Sequence, residues 1–509
     1  MAALVVTVPA CTDLGESPVS SITPDNFYQN EEEVLGGLAA VYAGLRGTIW
    51  GYYNLSEVSS DEIIVPTRGS DWYDNGKWLE LHRHTWAPTS AAGLDDVNGG
   101  WNDPWVGIAR ANVLLEALQN VEVADKEIVE AEVRTLRAFY YYALMDLFGG
   151  LPIATESAIM PRERATRAAT FDFIESELLA ARAVLPDAWP DAMHGRMTSG
   201  AANAILASMY LNAEVFTGEV TTAGLTRGDA RWQDAYDTAM LLINSPEYDL
   251  ATDWFSNFRA DNHLSPEIIM SVKYVAEDGI GFEMIYRGLH YNQATPAPWN
   301  GFATIAETYY AFDTNTVTAQ GILISDDIRH QIFLDGLQNN VETGQPVEDR
   351  SGAPLFFTPT IGDEDAASEG EGVRIYKWPA DPNHVGQFHG NDYGYFRLAE
   401  MYLIAAEATN ELGDPDEALT LVNQVRARAF EPDDPIVGPL TQAEMRVVIQ
   451  KERLFELTAE AKRRQDLIRY GMFTDEWSFK PESDPYRILF PIPQPQMDAN
   501  PLLVQNPGY

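Results

Sequence analysis

The stretch YFRLAEMYLIAAEATNELGDPDEALTLVNQVRARA, residues 395–429, decides the fold. Leu398, Met401, Tyr402, Ala405, Ala406 and Leu412 recur at three- and four-residue steps, one face of an α-helix. Gly413 supplies the stop. Asp414-Pro415 then caps and opens a second helix, whose face carries Ala418, Leu419, Val422 and Val425. Helix, short turn, helix, with small Ala residues where the two cross, is the pattern of a tetratricopeptide repeat. A generic helical hairpin is the alternative.

The same periodicity extends in both directions. Ala204 to Ile243 reads as a looser copy with a longer connector, made of one helix from about Gly200 to Phe216 and another over Trp232–Ile243. Upstream, Val133, Leu136, Phe139, Tyr140, Ala143, Leu144 and Leu147 line a helix that Gly149-Gly150 and Pro152 end. Trp101 and Trp105, one turn apart, are expected to pack in the core. Downstream, Thr441 and Glu444 have capping-box spacing before a long helix towards Leu457, and a further helix carries Leu467 and Ile468.

Two regions break the helical rule. From about Ala251 to Asp392 the chain is rich in Gly, Pro, Asn and Asp, with short apolar bursts such as Ile268–Val272, so loops with a few short strands are expected. The tail from Pro481 to Tyr509 is Pro-rich and reads as extended. The expected organisation is a mainly α protein: a partial lipoprotein signal (1–10), a helical scaffold with binding loops (11–250), a loop-rich subdomain (251–392), C-terminal helical pairs (393–475) and an extended tail (476–509), acting as one unit.

Charge excludes some functions. The 509 residues carry 34 Lys and Arg against 76 Asp and Glu, a net charge of −42. A nucleic-acid binder needs a basic face to neutralise phosphates, and no basic run of that length occurs. Such self-repulsion is tolerable in salty water, which is the expected habitat. No G-x-S-x-G, H-E-x-x-H, Walker or G-x-G-x-x-G motif is present. The single cysteine, Cys11, leaves no thiolate zinc site or second cysteine. Asp363, Asp365, Glu369 and Glu371 are acidic enough for calcium but lack EF-hand spacing, so no metal is expected. With 76 acidic residues, a carboxylate pair can be drawn almost anywhere and carries no weight for hydrolysis. Cys11 itself follows an apolar run ending in Ala10 and precedes Thr12, Asp13 and Glu16, which resembles the end of a bacterial lipoprotein signal.

Aromatic side chains are the candidates for binding. Rings on loops of a rigid scaffold offer flat apolar planes that match the C–H faces of sugars. One cluster holds Trp72, Tyr73, Trp78 and Trp86 beside Asp71, Asp74, Asn75 and Lys77. The other holds Tyr286, Tyr291, Trp299 and Phe302 beside Asn292, Gln293 and Asn300. Packing under loops as satellite cores is the alternative for each ring.

Five motifs in order carry a family resemblance. These are Arg137–Tyr142 with Leu147–Pro152; Gly195-Arg196-Met197-Thr198; Phe396–Leu403 with Val425–Ala429; Glu452-Arg453, Glu456-Leu457, Glu460 and Asp466-Leu467; and Leu489–Pro493 through Gln505–Tyr509. Together they are similar to the hallmarks of the RagB/SusD family, apart from Ala461 where Gly is usual and Arg464 near an expected aromatic. The resemblance implies a tetratricopeptide-like frame with an irregular ligand-binding face, a SusD-like fold. It implies a lipid anchor at Cys11 on the outer membrane, a SusC-like TonB-dependent transporter as partner, and an oligosaccharide or, less often, peptide ligand. It implies no catalysis, no cofactor and no nucleic acid. An all-helical glycoside hydrolase and a peptide-binding tetratricopeptide adaptor are the rival readings.

Overall fold

The computed structural model describes residues 28–312 and 316–509, so Cys11 and the leader lie outside the described residues. The frame begins with α1 (Glu31–Thr48), α2 (Gly51–Val58) and the short α3 (Lys77–His82), and continues through α4 (Asn98–Ala117), α5 (Lys126–Phe148), α6 (Arg167–Arg182), α7 (Ser199–Leu211) and α8 (Trp232–Ile243). After a long insertion come α9 (Leu398–Glu411), α10 (Pro415–Arg426), α11 (Gln442–Leu457) and α12 (Arg463–Tyr470). From α4 to α10 each helix packs against the next, α1 closes on α4, and α11 on α9. The two repeat-like pairs, α7–α8 and α9–α10, therefore stack directly although about 150 residues of chain separate them.

Local chemistry sets the helix ends. Thr166 and Thr198 accept first-turn amides of α6 and α7, Asp414 does so for α10, and Thr441 with Glu444 forms the expected reciprocal box. The central helix α5 differs from a one-faced helix: every residue from Thr135 to Phe148 is buried. Its tyrosines stay hydrogen-bonded there, Tyr140 to the Val41 carbonyl at 2.6 Å and Tyr142 to Ser208 at 2.9 Å. Tyr140 fits because a Cβ at Gly107 would stand 2.4 Å from its ring.

The insertion is tied in at both ends. The expected burst Ile268–Val272 is strand β1, antiparallel to β2 (Tyr393–Arg397), which runs straight into α9. A buried ion-pair network then bolts the insertion to the C-terminal helices. Arg397 pairs with Glu267, Glu456 and Glu460, Arg428 with Glu267 and Glu456, Arg329 with Asp327, Glu452 and Glu456, and Lys377 with Glu460. Burial alone would raise the Glu456 carboxyl, but Arg428, Arg397, Arg329 and Lys377 hold it far below the usual carboxylate range. Several acidic residues of the family motif are thus structural. Fifteen of the 34 basic and sixteen of the 76 acidic side chains are buried, so almost the whole net negative charge stays on the outer surface.

The tail is only partly extended. It forms one 3-10 turn (Pro485–Ile488) and a short helix (Gln494–Ala499). Phe490 and Ile492 are fully buried, and Asn506 donates to the Phe148 and Phe490 carbonyls. Among the described residues no helix is long and apolar enough to cross a membrane.

Candidate functional site

Three loops meet beside the α1–α2 turn: residues 66–76, 286–302 and 363–374. Two buried arginines clamp them, using backbone carbonyls rather than carboxylates. Arg68 donates to the Asn300 and Gly301 carbonyls at 2.9 Å each, to Glu371 at 2.9 Å and to Ser368 at 3.2 Å. Arg374 donates to the Asn300 side chain at 2.8 Å and to the Glu369 and Glu371 carbonyls. The first loop is tightly wound, with Trp72, Asp74 and Asn75 all at positive φ. Several donors of two rigid guanidinium forks replace what regular secondary structure supplies elsewhere.

On this base the two sequence clusters become one aromatic face. Trp72 donates its indole N–H to the Trp299 carbonyl at 2.6 Å, and their rings lie 6.5 Å apart. Trp72 reaches this place because residue 301 is Gly: a Cβ there would lie 2.3 Å from the indole. Both indoles are half-buried. Tyr73 is 57% exposed.

Trp50, in the α1–α2 turn, completes the face and was not among the sequence candidates. It is 44% exposed and stacks on Trp299, with centroids 6.2 Å apart and planes 30° from parallel. Its other neighbour is the Arg287 guanidinium, 4.0 Å from the ring centre. Arg287 is itself held by Asn54 and the Ile49 carbonyl. The available signal was a lone Trp between two helical segments, a place where a core ring has little to pack on.

A polar edge flanks the rings. Tyr291, half-buried, donates to Asp71 at 2.6 Å and lies under Arg350 at 4.3 Å. Burial, then the bond to Asp71, pushes the Tyr291 phenol up to about 12, so it remains a neutral donor. Arg350 also pairs with Asp71 and Glu369, and Glu369 takes the imidazole of His290 at 2.9 Å. Burial would raise Glu369, but bonds from the Arg350 amide, His290 and the Arg350 side chain hold it below the usual carboxylate value.

Other candidates do not present a surface. Trp86 is fully buried: its N–H reaches Tyr509 at 2.7 Å and its ring meets Phe490 at 4.4 Å, so the docked C-terminus covers it. Trp78, 3% exposed, and Phe302 form the floor under Trp72, at 5.5 and 5.6 Å. Tyr286 is likewise buried behind Trp299. Asn300 is sealed and serves Arg374, leaving no group for a ligand.

Among the described residues one group of carboxylates lies close enough to share a metal ion, Asp363, Glu364 and Asp365, and Arg83 already binds two of them. Glu369 and Glu371 point to other partners: Glu369 to Arg350 and His290, Glu371 to the Gly362 and Ser368 amides.

The stacked helical frame with its long irregular insertion is a SusD-like fold. Two family models match the sequence: the SusD family over residues 266–482, and a family described as starch-binding, associating with outer membrane, over residues 40–211. SusD-like protein P25 of Formosa agariphila is 25% identical, over 97% of this chain and 96% of that protein. The starch-binding protein SusD of Bacteroides thetaiotaomicron is also 25% identical, over 99% of this chain and 96% of that one. A solved laminarin-binding SusD-like protein superposes with a TM-score of 0.74 at 24% identity, covering 95% of this chain and all of the other. The chain belongs to the SusD/RagB family.

Proposed function

We propose that this protein captures a glycan at the outer cell surface, without altering it, and passes it to a TonB-dependent outer-membrane transporter. The observation that carries this reading is the exposed Trp50–Trp299 stack, held rigid by Arg287 beneath and edged by Tyr73 and the Asp71–Tyr291–Arg350 group. Pre-set rings bury sugar C–H faces with little rotamer entropy to lose, and the polar edge fixes hydroxyl direction. Relatives named for binding starch and laminarin support a polysaccharide ligand. A family named for outer-membrane association supports the location, to which lipidation of Cys11 would add the anchor.

The ties of the carboxylates nearest the rings support binding without chemistry. Hydrolysis needs one carboxyl kept protonated beside the sugar and a second across from it. Near the rings, Asp71 and Glu369 are tied to cations, and Asp74 holds the Trp78 N–H at 2.7 Å. Glu57 (about 7) and Glu62, raised mainly by burial, are sealed in the interior. Burial also raises Asp103 (to about 6), Asp96, Glu283 and Asp335, so it is the sugar-release assay that separates binding from hydrolysis.

A glycan array followed by calorimetry on the best binder tests the capture step. Measurable affinity with no new reducing ends supports it, and sugar release would overturn it. Co-purification with a large outer-membrane barrel from native membranes tests the handover, and mass spectrometry of the native N-terminus tests Cys11.

A further inference from the structure

A cavity of about 770 Å³ lies where the start of α6 meets the residues 217–220 and the C-terminal tail, and it shares no residue with the aromatic face. Arg167, the first residue of α6, lines it and is 7% exposed. Nε and Nη1 of this guanidinium are buried without a hydrogen-bond partner, and among the described residues no carboxylate pairs with it. Its one neighbour of note is the Phe216 ring, 5.4 Å away. Asp146, whose field it feels, is committed to Arg464 at 2.9 Å and to Tyr52 at 3.1 Å.

This is anomalous within the molecule. Arg137, Arg329, Arg374, Arg397, Arg464 and Arg469 are also buried, and each has carboxylate or carbonyl partners. A charge taken out of water without a partner is costly, and such groups are retained where a ligand completes them. The α6 N-terminus adds its partial positive charge at the same place, and Thr166 satisfies only the Ala169 amide. Arg164, beside it, is already bound to the Gly150 and Phe148 carbonyls and Asn506.

The walls say what carries the anion. Leu489, Leu502 and Val504 give apolar faces, and Thr166, Thr217 and Asn506 give polar ones. Exposed Glu163 and Glu219 at the rim disfavour a densely charged molecule but accept from hydroxyls. We propose that this cavity is a second binding site, for a single oxyanion borne on a sugar: a uronate carboxylate or a sulfate ester, seated on Arg167. The anion part stands on Arg167 alone; the sugar part rests on the glycan reading of the aromatic face.

Calorimetry on the full chain tests it, with a uronate trisaccharide, the sulfated trisaccharide, their uncharged counterpart and inorganic sulfate as probes. The charged trisaccharides should bind at least tenfold more tightly than the uncharged one. Arg167→Met should remove that difference, Arg167→Lys should keep part of it because a point charge replaces a fork, and Trp50→Ala should leave it intact. Unliganded Arg167→Met should melt no lower than the parent, since it removes an unpartnered buried charge. Three results would overturn the proposal: no preference for charged sugars, a preference that survives Arg167→Met, or a clear fall in Tm showing that Arg167 has a structural partner. Inorganic sulfate matching the trisaccharides would overturn the sugar assignment, whereas failure of the glycan reading shows separately, as no effect of Trp50→Ala on uncharged glycans.

Discussion

Trp50→Ala isolates the proposed stacking surface from the rest of the fold. The ring is 44% exposed. A large aromatic side chain offers up to roughly 250 Å², so about 110 Å² of it stands open. A sugar covers one face, roughly half of that, and at ~25 cal/mol per Å² the contact contributes about 1.4 kcal/mol. Kd for the glycan should therefore rise about tenfold. Stability should change little, because the lost contact with Arg287 is worth about 0.5–1 kcal/mol at a partly exposed site. Titration calorimetry gives Kd, and differential scanning calorimetry on the same sample gives Tm. Trp50→Phe, which keeps a smaller plane, should fall between the two. Binding within twofold of the parent in Trp50→Ala, with Trp299 shown by crystallography to be in place, would refute the idea that this face is the platform.

Three other outcomes follow from the structure. Gly301→Ala places a methyl in the Trp72 indole; the ring must shift, at a cost of about 1–3 kcal/mol, and glycan affinity should drop together with Tm, whereas equal Tm and affinity would mean that Trp72 is not locked. Glu57, held up to about 7 by burial against an ordinary 4.5, favours the folded state below about pH 4.5 and loses that contribution as pH climbs to 7. Glu57→Gln should therefore raise stability at pH 8 by up to about 3 kcal/mol and leave it unchanged at pH 4, as chemical denaturation at the two pH values would show. With −42 net charge, nearly all of it at the surface, Tm should rise between 10 mM and 0.5 M NaCl as the Debye length shrinks from about 30 Å to under 8 Å; a flat or falling Tm would dismiss the idea of adaptation to salt.

Much of the helical frame was legible because its signal is local. The helix over Trp232–Ile243, the stop at Gly413, the cap at Asp414 and the box at Thr441 each depend on neighbours within four residues. Periodicity misjudged α5 only in degree. A one-faced pattern marks a helix, but whether its other face meets water or more protein depends on segments far along the chain, and here α1, α4 and α6 enclose it. The strand Ile268–Val272 was legible as an apolar burst, while its partner Tyr393–Arg397 was hidden at the front of a helix, since pairing across some 120 residues leaves no local trace.

By itself the sequence determined that the chain is a helical-pair scaffold with a long irregular insertion, because turns, caps and the 3.6-residue period are written in adjacent residues. It also determined which rings were available for binding. Only the tertiary structure decided which of them face outward. Trp86 and Trp78 belong to the same sequence cluster as Trp72, yet the C-terminal tail seals the first and Trp72 roofs the second. Trp50 joined the site because Arg287, 237 positions away, stands beneath it. Exposure is a property of what the remainder of the chain covers, and that is settled by long-range packing of loops on the buried arginines Arg68 and Arg374.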